Sequence, residues 1–152
     1  MRHEGHTLTF PTEDSVIATK RFAMIAGIVY LLVGIAGFFP ALLTAPDPSY
    51  NINLQALNGK LFGVFPVNVA HTLVHLAIGI WGVMAARAEG PSISYARSLS
   101  IIFAVLAIMG LFPRLDTVFG LLPLHGNDIW LHAGTALVAA YFGWYASERI
   151  NA

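Results

Sequence analysis

The chain has 152 residues, 57% of them hydrophobic and 11% charged, with eight Lys and Arg balanced by eight Asp and Glu. A soluble domain carries about 25% charged residues, so this composition points to one integral membrane domain, and the zero net charge excludes the basic footprint that nucleic acid requires. No cysteine is present, which excludes disulfides, iron–sulfur clusters and thiol catalysis.

Residues 1–19 are polar and lack an apolar core, so they read as an N-terminal tail and not as the start of a secretory signal. His3 and His6 lie in this tail and are expected to be solvated. The first apolar stretch, about 22–43, is too long for the apolar region of a signal peptide. It is close to the ~20 residues a helix needs to cross the hydrocarbon core. Gly37-Phe38-Phe39-Pro40 lies near its end, where proline favours a bend or stop. Within it, Ala23-x-x-x-Gly27 has the spacing that lets two helices approach closely. The longest loop follows, from Thr44 to Pro66, with Pro46, Pro48 and Gly59.

The second apolar stretch covers about 69–86, with Asn68 placed as its N-cap. A short connection holds Glu89-Gly90-Pro91-Ser92, and the third stretch covers about 96–112, with Gly110-Leu111-Phe112-Pro113 at its end. The fourth covers about 129–146, capped by Asn127 or Asp128, and contains the small-residue pair Ala139-x-x-x-Gly143. Strand-like alternation is absent, and in lipid only helices or closed barrels satisfy their own backbone. The expected fold is an all-α membrane protein, with a four-helix transmembrane domain over residues 20–149 arranged as an up-down-up-down bundle.

The bundle is expected to consist of two repeated helical hairpins. Phe62-Gly63-Val64-Phe65-Pro66-Val67 recurs as Phe119-Gly120-Leu121-Leu122-Pro123-Leu124, at a constant offset of 57 residues. The same register places His75 on His132 and His71 on Asp128. Because the first and third helices point the same way, the halves should relate by a pseudo-two-fold axis along the membrane normal. Arg2, Lys20, Arg21, Arg87, Arg97 and Arg149 fall on one side, Lys60 and Arg114 on the other. The positive-inside rule then puts both termini in the cytoplasm. Trp130 suits the opposite interface, Trp144 and Tyr145 the cytoplasmic one.

An ionisable residue within a membrane segment is costly and points to function. His71 and His75 are one helical turn apart on one face, and so are Asp128 and His132. If the halves pack about the proposed axis, the four side chains converge on one extracytoplasmic pocket. Three imidazoles and a carboxylate suit Zn, Fe, Mn or Cu. His75 and His132, at matched depth, could instead hold a haem between them, or one of them a chlorophyll-type pigment. Hydrogen-bonded ties between the halves are the third reading. His125 aligns with Asn68 and is expected to cap or to face water, although it lies close enough in sequence to join the cluster. Lys60, Arg114 and Asp116 read as an interfacial charge set. Thr72 and Thr135 read as backbone-bonding helix residues, and no nucleophile motif or phosphate-binding glycine loop is present.

Gly63-Val64-Phe65-Pro66-Val67-Asn68-Val69-Ala70-His71-Thr72-Leu73-Val74-His75-Leu76, followed by Pro-Leu-His-Gly-Asn-Asp-Ile-Trp-Leu-His at 123–132, resembles the bacterial four-helix membrane family filed as domain of unknown function 4383. The resemblance spans roughly Arg21 to Ser147. His71, His75, Asp128 and His132 match its motif positions, whereas Thr72 stands where asparagine is expected. It implies a four-helix membrane fold and no established activity.

The leading functional expectation is a small non-catalytic protein of the bacterial inner or thylakoid membrane. It would be an accessory or scaffolding subunit of a larger respiratory or photosynthetic complex, with membrane lipid and other membrane subunits as partners. The alternative is a metal-, haem- or pigment-binding module built on His71, His75, Asp128 and His132.

Overall fold

The computed structural model describes residues 13–148. The tail residues Arg2, His3 and His6, and Arg149 at the other end, lie outside the described residues. The fold is mostly helical: α1 (Glu13–Ala36), α2 (Val69–Ala85), α3 (Glu89–Met109) and α4 (Asn127–Ala140). A π-helical turn (Tyr141–Tyr145) and α5 (Ala146–Glu148) continue α4 without a break.

Helix α1 starts within the segment expected to be a polar tail. Between Glu13 and Arg21 no proline or glycine interrupts it, and a helix satisfies its own backbone past the end of an apolar run. It stops at Ala36, short of the expected 43, because Gly37 follows and Pro40 opens a separate 3-10 turn (Pro40–Leu42). Helix α3 likewise starts earlier than expected. Glu89-Gly90-Pro91-Ser92 forms its first turn, where proline costs no hydrogen bond and Glu89 meets the positive end of the helix dipole. The Ser92 hydroxyl donates to the carbonyls of Ala85 and Ala88, fastening the turn between α2 and α3.

The long loop is not free of strands. A small antiparallel sheet, β1 (Leu43–Thr44), β2 (Gly59–Leu61) and β3 (Phe65–Val67), pairs Leu43 with Leu61 and Leu61 with Phe65. These strands are too short to leave an alternating pattern. The β2–β3 turn places Phe62 (φ 54°) and Gly63 (φ 74°) in the left-handed region. Phe119 (φ 57°) and Gly120 (φ 85°) do the same 57 residues later, and Leu57 (φ 55°) matches Arg114 (φ 75°) at the same offset. A left-handed conformation is uncommon in non-glycine residues, so the two non-glycine coincidences, with the matched glycines beside one of them, make the repeat a property of the backbone as well as of the sequence.

Each hairpin closes on small residues. A Cβ on Gly27 would lie 2.6 Å from the Val83 nitrogen and one on Gly79 2.6 Å from the Leu31 nitrogen, so α1 and α2 pack backbone to backbone. Ala139 is fully buried, and Gly143 abuts Ala96 and Arg97 of α3. The π-helical turn leaves the Gly143 carbonyl to accept from Arg97 Nε at 2.7 Å and from the Ser147 hydroxyl at 2.6 Å. The core runs through Ala23, Tyr30, Ile78, Tyr95, Leu99 and Phe103. Helix α1 packs on α2 and α3, and α3 on α4, but α1 and α4 are not packed along their lengths.

Ile17–Ala36 and Glu89–Met109 are long and apolar enough to cross a membrane, by length and composition; Val69–Ala85 is apolar but shorter. Their outward faces are aliphatic, among them Ile25, Leu32, Ile80, Met84, Val105 and Ile108.

Gly27→Val should collide with backbone atoms of α2 that cannot yield. Overpacking of this kind costs about 1–3 kcal/mol. Thermal unfolding in mild detergent should show a lower midpoint for this variant and an unchanged one for Gly90→Ala, whose Cβ would meet open space.

Candidate functional site

Asn68 starts the site. Its side chain accepts from the His71 N–H at 3.0 Å, capping α2 as expected, and its amide donates to the Leu121 carbonyl at 2.7 Å and to that of Leu54. One buried residue thus fixes the first turn of α2 and ties it to the loop of the other half. Helix α4 is capped differently. Its N-cap is Gly126, with no side-chain bond, and Asn127 and Asp128 are already helical. Asp128 is therefore not spent on capping, and its carboxylate faces α2.

All four expected residues are buried: His71 (4% exposed), His75 (6%), Asp128 (2%) and His132 (1%). His71 Nδ1 lies 3.7 Å from Asp128 Oδ2. One donor atom from each of His71, Asp128 and His132 lies within 4.8 Å of the others. The Pro66 backbone hydrogen-bonds His71. His75 belongs to the cluster without joining this triad. Its ring is 4.5 Å from that of His71 and stacks on Tyr30 at 5.5 Å. Phe103 closes the other side, edge-on to His132 at 5.0 Å.

The cluster is not held by hydrogen bonds among its members. His71 Nδ1, His75 Nδ1, His132 Nδ1 and Asp128 Oδ2 are buried and have no hydrogen-bond partner. The 3.7 Å separation of His71 from Asp128 is too long for one. An unsatisfied buried polar group costs about 1–3 kcal/mol, more if charged, and native interiors hold few of them. Four at one point call for a further group to satisfy them.

His125 does not join the cluster, cap α4 or face water. It is buried and stacks on Tyr50, with ring centroids 3.4 Å apart and planes at 4°. Lys60 pairs with Asp47 at 3.8 Å, while Arg114 and Asp116 border a separate shallow hollow beside Tyr50. Thr72 is buried with its hydroxyl unpartnered, and Thr135 accepts from the Tyr30 hydroxyl at 3.3 Å. Tyr30 and Phe103 were not legible as parts of the site from sequence. A tyrosine in the middle of an apolar helix was the available signal for the first, but a phenylalanine there carries none.

The model of the family described as "Domain of unknown function (DUF4383)" matches residues 20–145. Neither a curated protein nor a solved structure matches the chain.

Burial pushes the His125 imidazole below its ordinary pKa of 6.5, against the opposite pull of Asp47 and Asp116. A base with a lowered folded-state pKa is protonated first in the unfolded chain. Its contribution to stability is therefore complete above pH 6.5 and is lost as the pH falls below it. The thermal midpoint should drop on acidification from pH 7.5 to 5.5, and His125→Phe, which keeps a ring against Tyr50, should flatten that slope.

Proposed function

The chain belongs to the DUF4383 family, and we propose that it is a small multi-pass membrane protein whose two helical hairpins clamp a transition-metal ion between them. The observation that carries the metal reading is the set of three buried, unpartnered donors on α2 and α4: His71, Asp128 and His132. Two imidazoles and one carboxylate are a donor set for Zn(II) or Fe(II), and three protein ligands leave a coordination position open. Ligand atoms around such an ion sit about 3–3.5 Å apart, so the triad contracts modestly on binding. The ion would join two hairpins and satisfy the donors that the protein leaves unpaired.

A haem between His75 and His132 is less well supported. Tyr30 and Phe103 pack directly on these rings, and a macrocycle between them would have to displace both.

The membrane part of the proposal rests on the aliphatic outer faces of the helices and the two helices of spanning length. In this reading α2 and the α4 run also cross, and both termini are cytoplasmic, by the excess of Lys and Arg on that side. The accessory-subunit reading remains compatible with the clamp, because exposed apolar faces accept either lipid or a neighbouring subunit. Migration of the native protein as a large complex on a gel of mildly solubilised membranes would support it, and migration as a lone chain would remove it.

Protein purified without an oligohistidine tag should carry about one equivalent of Zn or Fe by elemental analysis, or bind added Zn(II) with a rise in thermal midpoint. His132→Ala and Asp128→Asn should lose the metal, whereas His75→Ala should keep it. A wild type that neither contains nor takes up a transition metal overturns the clamp.

Topology is open to direct labelling, because the chain has no cysteine of its own. Ala45→Cys, in the long loop, should react with a membrane-impermeant maleimide in intact cells. Ala88→Cys, between α2 and α3, should react only after lysis. The reverse pattern inverts the topology.

A further inference from the structure

We propose that the cleft between α1 and α4 binds a lipid-soluble hydroxyaromatic molecule, a single-tailed quinol or phenol, with its hydroxyl at His75 and Asp128. Helices α1 and α4 meet near the end of the helical run, where Phe22 stacks on Phe142 at 4.7 Å. Beyond that point they separate, with Tyr30 and Thr135 bridging them at 3.3 Å. The separation leaves a laterally open cavity of about 590 Å³, within the size range of small-molecule sites.

Its lining states the chemistry of the occupant. The walls include five aromatic rings, those of Phe22, Tyr30, Phe62, Phe65 and Trp130, which suit a flat ring. No Lys or Arg lines the cavity, so a phosphate or carboxylate head group would meet the Asp128 side chain with no cation to balance it. Phospholipid head groups and fatty acids are thereby disfavoured. The polar groups it offers are those of Asp128, His75, Thr135 and Tyr30. His75 and Asp128 are both more than nine-tenths buried and both line the cavity, and His75 retains an unpartnered ring nitrogen, whereas the unpartnered Asp128 oxygen is the one that faces His71. A neutral hydroxyl can donate to one and accept from or donate to the other, which a plain acyl chain cannot.

Gly134 supplies an independent observation. Gly27, Gly34, Gly79, Gly82 and Gly143 each face a neighbouring atom within 3 Å of a notional Cβ, so packing requires them. Gly134 lies in the middle of α4, lines the cavity, and has nothing within 4 Å of its notional Cβ. A glycine inside a helix costs about 1 kcal/mol relative to alanine. No contact of the fold accounts for it, but the width of the cavity does.

The test uses the full chain in lipid nanodiscs, equilibrated with a decyl-substituted benzoquinol under reducing conditions, with empty discs as background. The expected result is saturable retention of about one quinol per chain that decylbenzene does not displace. Gly134→Leu fills the cavity from a position with free space and should weaken retention about tenfold or more. Val138→Trp, from an exposed position on the same wall, is a second filling variant should the first fold poorly. Absence of saturable retention by the wild type overturns the proposal. So does equal displacement by decylbenzene, which would make the cleft a tail-binding groove only, or full retention in both filled variants. Metal content measured on the same discs keeps the two readings apart. Retention of quinol by protein that neither contains nor takes up added Zn(II) would refute the clamp alone, and metal-loaded protein without quinol would refute this inference alone.

Discussion

An apolar interior cannot solvate an imidazole or a carboxylate, and this chain buries three of the one and one of the other at a single point. The rest of the structure is arranged around that constraint. Water would satisfy these groups at the surface, but here Tyr30 and Phe103 pack against the His75 and His132 rings. The usual remedy, a closed network of side-chain hydrogen bonds, is not built. His71 and Asp128 stand 3.7 Å apart with their facing atoms unpaired. That spacing is too wide for a hydrogen bond and close to what two ligands of one ion require.

The two halves deliver these groups by the same backbone device and then diverge in detail. Left-handed residues at Phe62-Gly63 and Phe119-Gly120 turn each chain so that a helix begins a few residues later, beside the other half. In the first half the loop continues as a strand and Asn68 caps the helix. In the second half there is no strand at this point, and a glycine precedes α4. The asymmetry has a consequence for chemistry. Asn68 uses its side chain on the backbone, whereas Asp128, released from capping, presents its carboxylate to His71.

Glycine divides the helices into faces that must be tight and an open position at the centre of α4. Along α1 and α2 a Cβ would strike backbone, which locks that hairpin into a single register. Along the face that α4 turns toward α1, the glycine at 134 meets nothing. Close packing within each hairpin and looseness between α1 and α4 together give a rigid cluster with a cleft beside it. A site that must admit a molecule from the side needs both.

Much of this was legible from sequence. The apolar runs placed four helices because the length of a run and the Gly, Pro and cap residues at its ends are read locally. The Phe-Gly repeat aligned His71 with Asp128, which the structure sets 3.7 Å apart, and Asn68 was recognisable as a cap because its side chain acts on a neighbour three residues away. Local signals of this kind depend only on residues close in the chain. The starts of α1 and α3, the small sheet of the long loop and the burial of His125 against Tyr50 were not legible, since each is decided by partners far along the chain. The separation of the polar residues into a triad and an outlying His75, and the cleft that Gly134 widens, belong to the tertiary structure alone. Which atoms face one another, and which face empty space, depends on how two hairpins settle against each other, and sequence spacing within one helix carries no information about that distance.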